Sequence, residues 1–229
     1  MILTSLIAPI ALLAAAPAAP AAEVPKSNAE IRFNDCVHQI TVDHDKAIAG
    51  AEAWRAAGGG VPARQCLGLA YVAVERWVHA AIPFEQAATE AESRGDGRAA
   101  TLWVQSGNAA LAGDDAVKAR AAFDHALALP VLSGMQRGEA LMDRARADVA
   151  VDDLKAARTD LDEAIRLVPS DPMGWLLSAA LARRQGDTDR AHNDLAQAEK
   201  LAPGDPSIAA ERARVSEMRS VPDAATSAP

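Results

Sequence analysis

The sequence predicts an all-helical protein of stacked helix pairs. Three observations predict it: a pattern that returns every 34 residues, a composition rich in alanine and poor in aromatics, and no alternating β-branched run between turn signals. Ala157, Leu161, Ala164, Leu167 and Pro169 come back 34 residues on as Ala191, Leu195, Ala198, Leu201 and Pro203. Leu141 returns as Trp175, Ala145 as Ala179 and Asp153 as Asp187, so the match spans two helices and the turn between them. A repeat of this length cannot bury its apolar face alone and must stack on copies of itself. Hydrophobic residues make up 50% of the 229, but only 3% are aromatic. Alanine favours helix and lets helices approach closely, and strand content should be near zero.

Residues 1–22 carry no charged side chain and hold an apolar stretch from Ile2 to Ala16 that closes in an alanine and proline run. They read as a cleaved secretory signal, which implies a periplasmic or secreted protein. Pro9 and Pro17 interrupt the stretch, which is shorter than a membrane span needs, so no stable span is expected after cleavage. A net charge of −8 argues against nucleic acid as a partner, since phosphate binding needs a basic stripe.

After a linker at 23–27, one helix is expected over about 29–42 and a second over about 45–57, with Ala47, Ala51 and Trp54 as its inward stripe. Gly58, Gly59 and Gly60 end it, and Pro62 opens the next helix. The next pair covers about 62–74 and 77–92, where Ala80, Phe84 and Ala87 repeat that stripe. Pro83 removes a backbone donor there, which predicts a kink or a late start. Gly68, Ala80, Phe84 and Ala87 recur 39 residues on as Gly107, Ala119, Phe123 and Ala126, so the extra residues belong to the loop at 93–98. A second insertion, 130–138, separates this pair from the two strongest copies. Asp205 and Pro206 open a polar last helix that covers the open end, and 220–229 has no periodicity.

No nucleophile elbow, phosphate loop, dinucleotide fingerprint or HExxH is present, so no catalytic residue, cofactor or metal is assigned. Cys36, His38, Asp43, His44 and Asp45 cluster, but without metal-ligand spacing; Asp43 or Asp45 is better placed as a helix cap. The pairs Asp114, Asp115 and Asp152, Asp153 fall where second helices begin and also read as caps. His79, His125 and His192 are expected on the surface.

These residues resemble the tetratricopeptide repeat, in which a first helix with Trp or Leu and Gly is followed by Ala, an aromatic or Leu, Ala and then Pro. The last copy reads Trp175, Ala179, Gly186, Asp187, Ala191, Leu195, Ala198 and Pro203. The third reads Trp103, Gly107, Gly113, Asp114, Ala119, Phe123 and Ala126, and the fourth has Asp152 where Gly is usual. Glu75 stands at the mid-repeat glycine of the second copy, and the first keeps little beyond its alanines.

The resemblance implies a right-handed α-solenoid of about five helix-turn-helix repeats. It sets degenerate copies at 28–60 and 61–94, clearer ones at 100–133, 138–171 and 172–205, and a capping helix at 206–219. It puts Cys36 and Cys66 on the first helices of adjacent copies, which run side by side. An even cysteine count behind an export signal makes a disulfide the leading reading, with two buried free thiols as the alternative. The resemblance also implies a concave groove lined by first helices, to which Gln65, Leu69, Val104, Asn108, Leu111, Met142, Arg146, Val149 and Arg183 would point. The Lys and Asn clamp of chaperone-tail binders is incomplete, because Gln65, Met142 and Leu176 stand where Lys or its equivalent is needed. The expected function is a non-catalytic scaffold that binds a partner peptide or helix, with Arg146 and Arg183 meeting carboxylates. The alternatives are an accessory subunit or enzyme of the cell envelope and a self-assembling structural module.

Overall fold

The computed structural model describes residues 27–219, so the expected signal segment and carboxyl-terminal tail lie outside the described residues. Among them are eleven helices and no strand. They pair as α1 (Asn28–Val42) with α2 (His44–Ala56), α3 (Gly60–Ala73) with α4 (Trp77–Ser93), and α5 (Ala99–Ala112) with α6 (Ala116–Ala128). The fourth pair is α7 (Gly134–Ala150) with α8 (Leu154–Leu167), the fifth α9 (Pro172–Gln185) with α10 (Thr188–Leu201), and α11 (Pro206–Arg219) closes the stack. Each helix packs on the next in chain order, and the first helices α1, α3, α5, α7 and α9 also meet their like neighbours where contacts are found, as α1 with α3, α5 with α7 and α7 with α9.

Aspartates start most of these helices. Asp43, Asp115, Asp153 and Asp187 each accept a backbone N–H from three residues ahead, at 3.0 to 3.1 Å, and so open α2, α6, α8 and α10. Ser27 and Glu30 form a reciprocal capping box at α1. Arg76 precedes α4 without any side-chain cap. Before three of the capped or uncapped starts, the chain turns through the left-handed region on a residue other than glycine: Glu75 at φ 55°, Asp114 at 61° and Asp152 at 63°, where the last copy has Gly186 at 78°. This corrects the register read for the third copy. The turn residue is Asp114 and the cap is Asp115, so Gly113, at φ −91°, stands one position early.

The core repeats one joint with two solutions. In the second and third pairs a phenylalanine ring lies flat against a glycine: a Cβ on Gly68 would sit 2.5 Å from Phe84, and one on Gly107 2.7 Å from Phe123. The equivalent residues in the fourth and fifth pairs are Ala145 with Leu161 and Ala179 with Leu195, all at most 2% exposed. Volume removed from one helix is added to its partner, as close packing demands. Pro83 neither delays nor ends α4, which runs from Trp77 with the proline buried inside it. His192, expected on the surface, is half-buried, and its Nε2 has no hydrogen-bond partner among the described residues. Glu211 of the polar helix α11 is 2% exposed and held by Arg183 at 2.5 Å and Arg214 at 2.8 Å.

Candidate functional site: a cleft on the first helices

Cys36 of α1 and Cys66 of α3 are joined in a disulfide with their Cα atoms 6.2 Å apart. No residue of α1 is fully buried, so this bond, the half-buried Phe33 and Ile40, and Arg32 placed 4.9 Å over the Trp54 ring hold the helix to the stack. Closing a loop of 30 residues in this way contributes about 3 kcal/mol. Cys36 therefore has no thiolate to offer a metal, and Asp43 is occupied as the α2 cap.

The residues expected to line the groove do not form one continuous surface. Gln65 donates to Gln105 at 3.2 Å and bridges α3 to α5, with Leu69, Val104 and Leu111 half-buried beside the core. Asn108 of α5 lies beside Asp143 of α7, which accepts from Arg146 at 2.7 Å. Burial raises the pKa of Asp143, while Arg146 and Asn108 pull it down. Met142 is not part of this surface. It is 5% exposed, and its sulfur would lie 3.4 Å from a Cβ at Gly174, so it fills the space between α7 and α9.

Arg146, Val149 and Arg183 meet at a cleft of about 280 Å³ between α7 and α9. Its floor is apolar, with Ala145, Leu161, Leu177, Ala180 and Leu181, and its rim holds Arg146, Arg183 and Arg184. Among the described residues no carboxylate lines the cleft itself, while Asp143, Asp152 and Glu211 pair with its three arginines from outside it. Arg184 donates to the Val149 carbonyl at 3.1 Å and to Asp152 at 3.2 Å, which fixes its guanidinium at the edge. Arg183 is less free than expected. Its Nε donates to Glu211 of α11, so part of its donor set is satisfied by the chain's own last helix. A second opening of about 430 Å³ lies between α9 and α11, shares Leu177 and Ala180 with the first, and has Glu211 and Arg214 among its lining.

Leu177, Ala180 and Arg184 were not identified from sequence. The repeat register carried a signal for two of them, because Leu177 replaces Asp143 and Arg184 replaces Ala150 of the preceding copy. Positions that break a repeat's pattern are where a shared scaffold differs locally.

No family model and no curated protein matches the sequence. Solved structures do match the fold. A MamA protein aligns at TM-score 0.64 with 17% identity over 76% of this chain and 91% of its own. YrrB, described as a TPR protein with an unusual peptide-binding site, aligns at 0.63 with 16% identity over 81% and 92%. MamA from Desulfovibrio magneticus RS-1, from residue 41 onward, aligns at 0.64 with 13% identity over 78% and 97%. The chain therefore has the fold of the tetratricopeptide-repeat proteins, an all-α solenoid of helix pairs.

Proposed function

We propose that this protein is a non-catalytic interaction scaffold of the bacterial periplasm that receives a segment of a partner protein on its first-helix surface. The observation that carries this reading is the α7–α9 cleft, an apolar floor under three arginines in an acidic chain. Apolar pockets ringed by a few fixed polar groups are how grooves hold peptides, with depth supplying affinity and the charged rim supplying orientation. The structural likeness to YrrB, a TPR protein with a peptide-binding site, supports the same use of the fold. The periplasmic setting is supported by the uncharged apolar segment 1–22 and by the disulfide, a bond that persists in oxidising compartments.

The test is crosslinked recovery of the protein from the cell envelope, beside a folded Asn108→Ala, Arg146→Glu variant. A stoichiometric partner recovered with the parent and lost with the variant supports the groove. The same partner recovered with both places binding on another face.

A further inference from the structure

The end of the stack formed by α9 and α10 already carries one helix, α11, and that helix shows what an arginine of α9 takes. On α11, Ile208 and Val215 stand seven residues apart and are 2% and 0% exposed, packed with Ala179, Ala182 and Leu195. Glu211 lies between them, three residues after Ile208, and reaches Arg183 Nε at 2.5 Å. The pattern is an apolar stripe on one helix face with a carboxylate about one turn along, directed at an arginine of α9. Residues at i, i+3 and i+7 share a helix face, so a helix presents these groups together.

The adjoining cleft offers the same two components with no helix in them. Its floor of Leu161, Leu177 and Leu181 matches an apolar side chain, and Arg146 and Arg184 stand on its rim with side chains 41% and 40% exposed. We propose that the α7–α9 cleft binds an acidic amphipathic helix of a partner protein, with a large apolar residue in the cleft and an Asp or Glu three or four positions away paired with Arg146 or Arg184. This rests on the scaffold reading above and narrows it to one class of ligand. Charge complementarity selects the acid: Arg146 and Arg184 each spend part of their five-donor fork on Asp143 and Asp152 of the chain itself and keep further N–H groups for a ligand carboxylate, and guanidinium–carboxylate pairs beside apolar surface are strengthened by partial desolvation. The helical form is taken from α11, which sets its apolar residue and its acid on one face at i and i+3; an extended segment could present such a pair only at even spacing, a difference the library selection reads directly.

The probes are two displayed peptide libraries selected on the full chain, one of randomised helices and one of extended, proline-bearing segments. The expected result is enrichment from the helix library of Leu, Ile or Phe with Asp or Glu at i+3 or i+4. Binding of the selected clones should fall at least tenfold on Ala180→Trp, which fills the cleft, and on an Arg146→Glu, Arg184→Glu variant, with folding checked by circular dichroism. Extended clones that win and lose binding on Ala180→Trp overturn the helical proposal and leave the groove reading standing. Selected helices without acid enrichment, helices indifferent to Ala180→Trp, or no enrichment from either library overturn the proposal outright.

Discussion

The two ends of the stack share an apolar core and differ in what is added to it. From α1 to α6 the additions are mostly aromatic and covalent, namely Phe84 on Gly68, Phe123 on Gly107, Trp103 stacked on His125 at 4.3 Å, and the Cys36–Cys66 bond, beside a part-buried ion pair of Arg64 with Glu90. From α6 to α10 arginines stitch neighbouring helices. Arg144 grips Asp160 with two bonds of 2.7 and 2.8 Å and reaches Asp124 at 2.8 Å. Arg120 meets Asp148 at 3.0 Å, and Arg158 donates to Ser178, whose hydroxyl donates on to buried Asp194 at 2.6 Å. Apolar joints depend on volume and ionic ones on partners, so one repeat plan can respond to different perturbations at its two ends.

The largest expected effect tests the apolar end. Phe123→Ala should destabilise by about 3–5 kcal/mol in urea unfolding, the usual range for an aromatic removed from a core. Gly107→Ala should also destabilise, since its Cβ would meet the ring at 2.7 Å. Combining Gly107→Ala with Phe123→Leu recreates the joint of the fourth pair and should recover most of the loss; a double variant as unstable as the sum of the singles would show that the joints are not equivalent. Next comes the covalent joint. Reduction, or Cys36→Ser with Cys66→Ser, should cost about 3 kcal/mol, with faster amide exchange concentrated in α1. Exchange that rises equally in α9 and α10 would contradict a local role.

The ionic end should show itself through pH. Burial pushes the Asp148 carboxyl up to about 6; Arg120 and Arg144 act to lower it, Asp160 and Asp153 to raise it. Between its ordinary value of 3.8 and about 6, the folded protein keeps a proton that the unfolded chain has lost. Stability from this group is therefore greatest below that window and declines as pH rises through it. Asp148→Asn should flatten the curve there, as measured by urea midpoints from pH 4 to 7. Asp96, held at about 2 by Arg98, acts the other way: its contribution is lost as pH falls from 3.8 toward 2, outside this window. The smallest effect concerns the turns. Glu75→Gly should stabilise by about 1 kcal/mol by removing a left-handed side-chain residue, and circular dichroism melting would record it.

The helix pairs were legible in the sequence because the scaffold repeats its small and large residues at fixed spacing. Ala119, Ala157 and Ala191 mark the second helices, and a cap four residues before each would have placed Asp115 correctly; the adjacent Gly113 drew the register one position early. Arg146, Val149 and Arg183 were legible as first-helix positions. Met142 was not, because its burial depends on Gly174 of the following pair making room for it. Nor was the engagement of Arg183 by Glu211, a contact 28 residues apart in sequence that depends on how α11 docks. Periodicity reports which face a residue occupies, and the depth of that face depends on the neighbouring element.

The exchange of Gly and Phe for Ala and Leu has a consequence for modularity. A first helix transplanted from the fourth pair onto a second helix from the third would set a methyl group against a phenylalanine, and the reverse graft would leave a void. As far as this joint goes, the interchangeable unit is thus the intact pair, cut at the loops around 94–98, 129–134 and 168–171, and chimaeras spliced there that keep the Arg120–Asp148 and Arg144–Asp124 pairs between neighbours should assemble where those spliced within a pair do not.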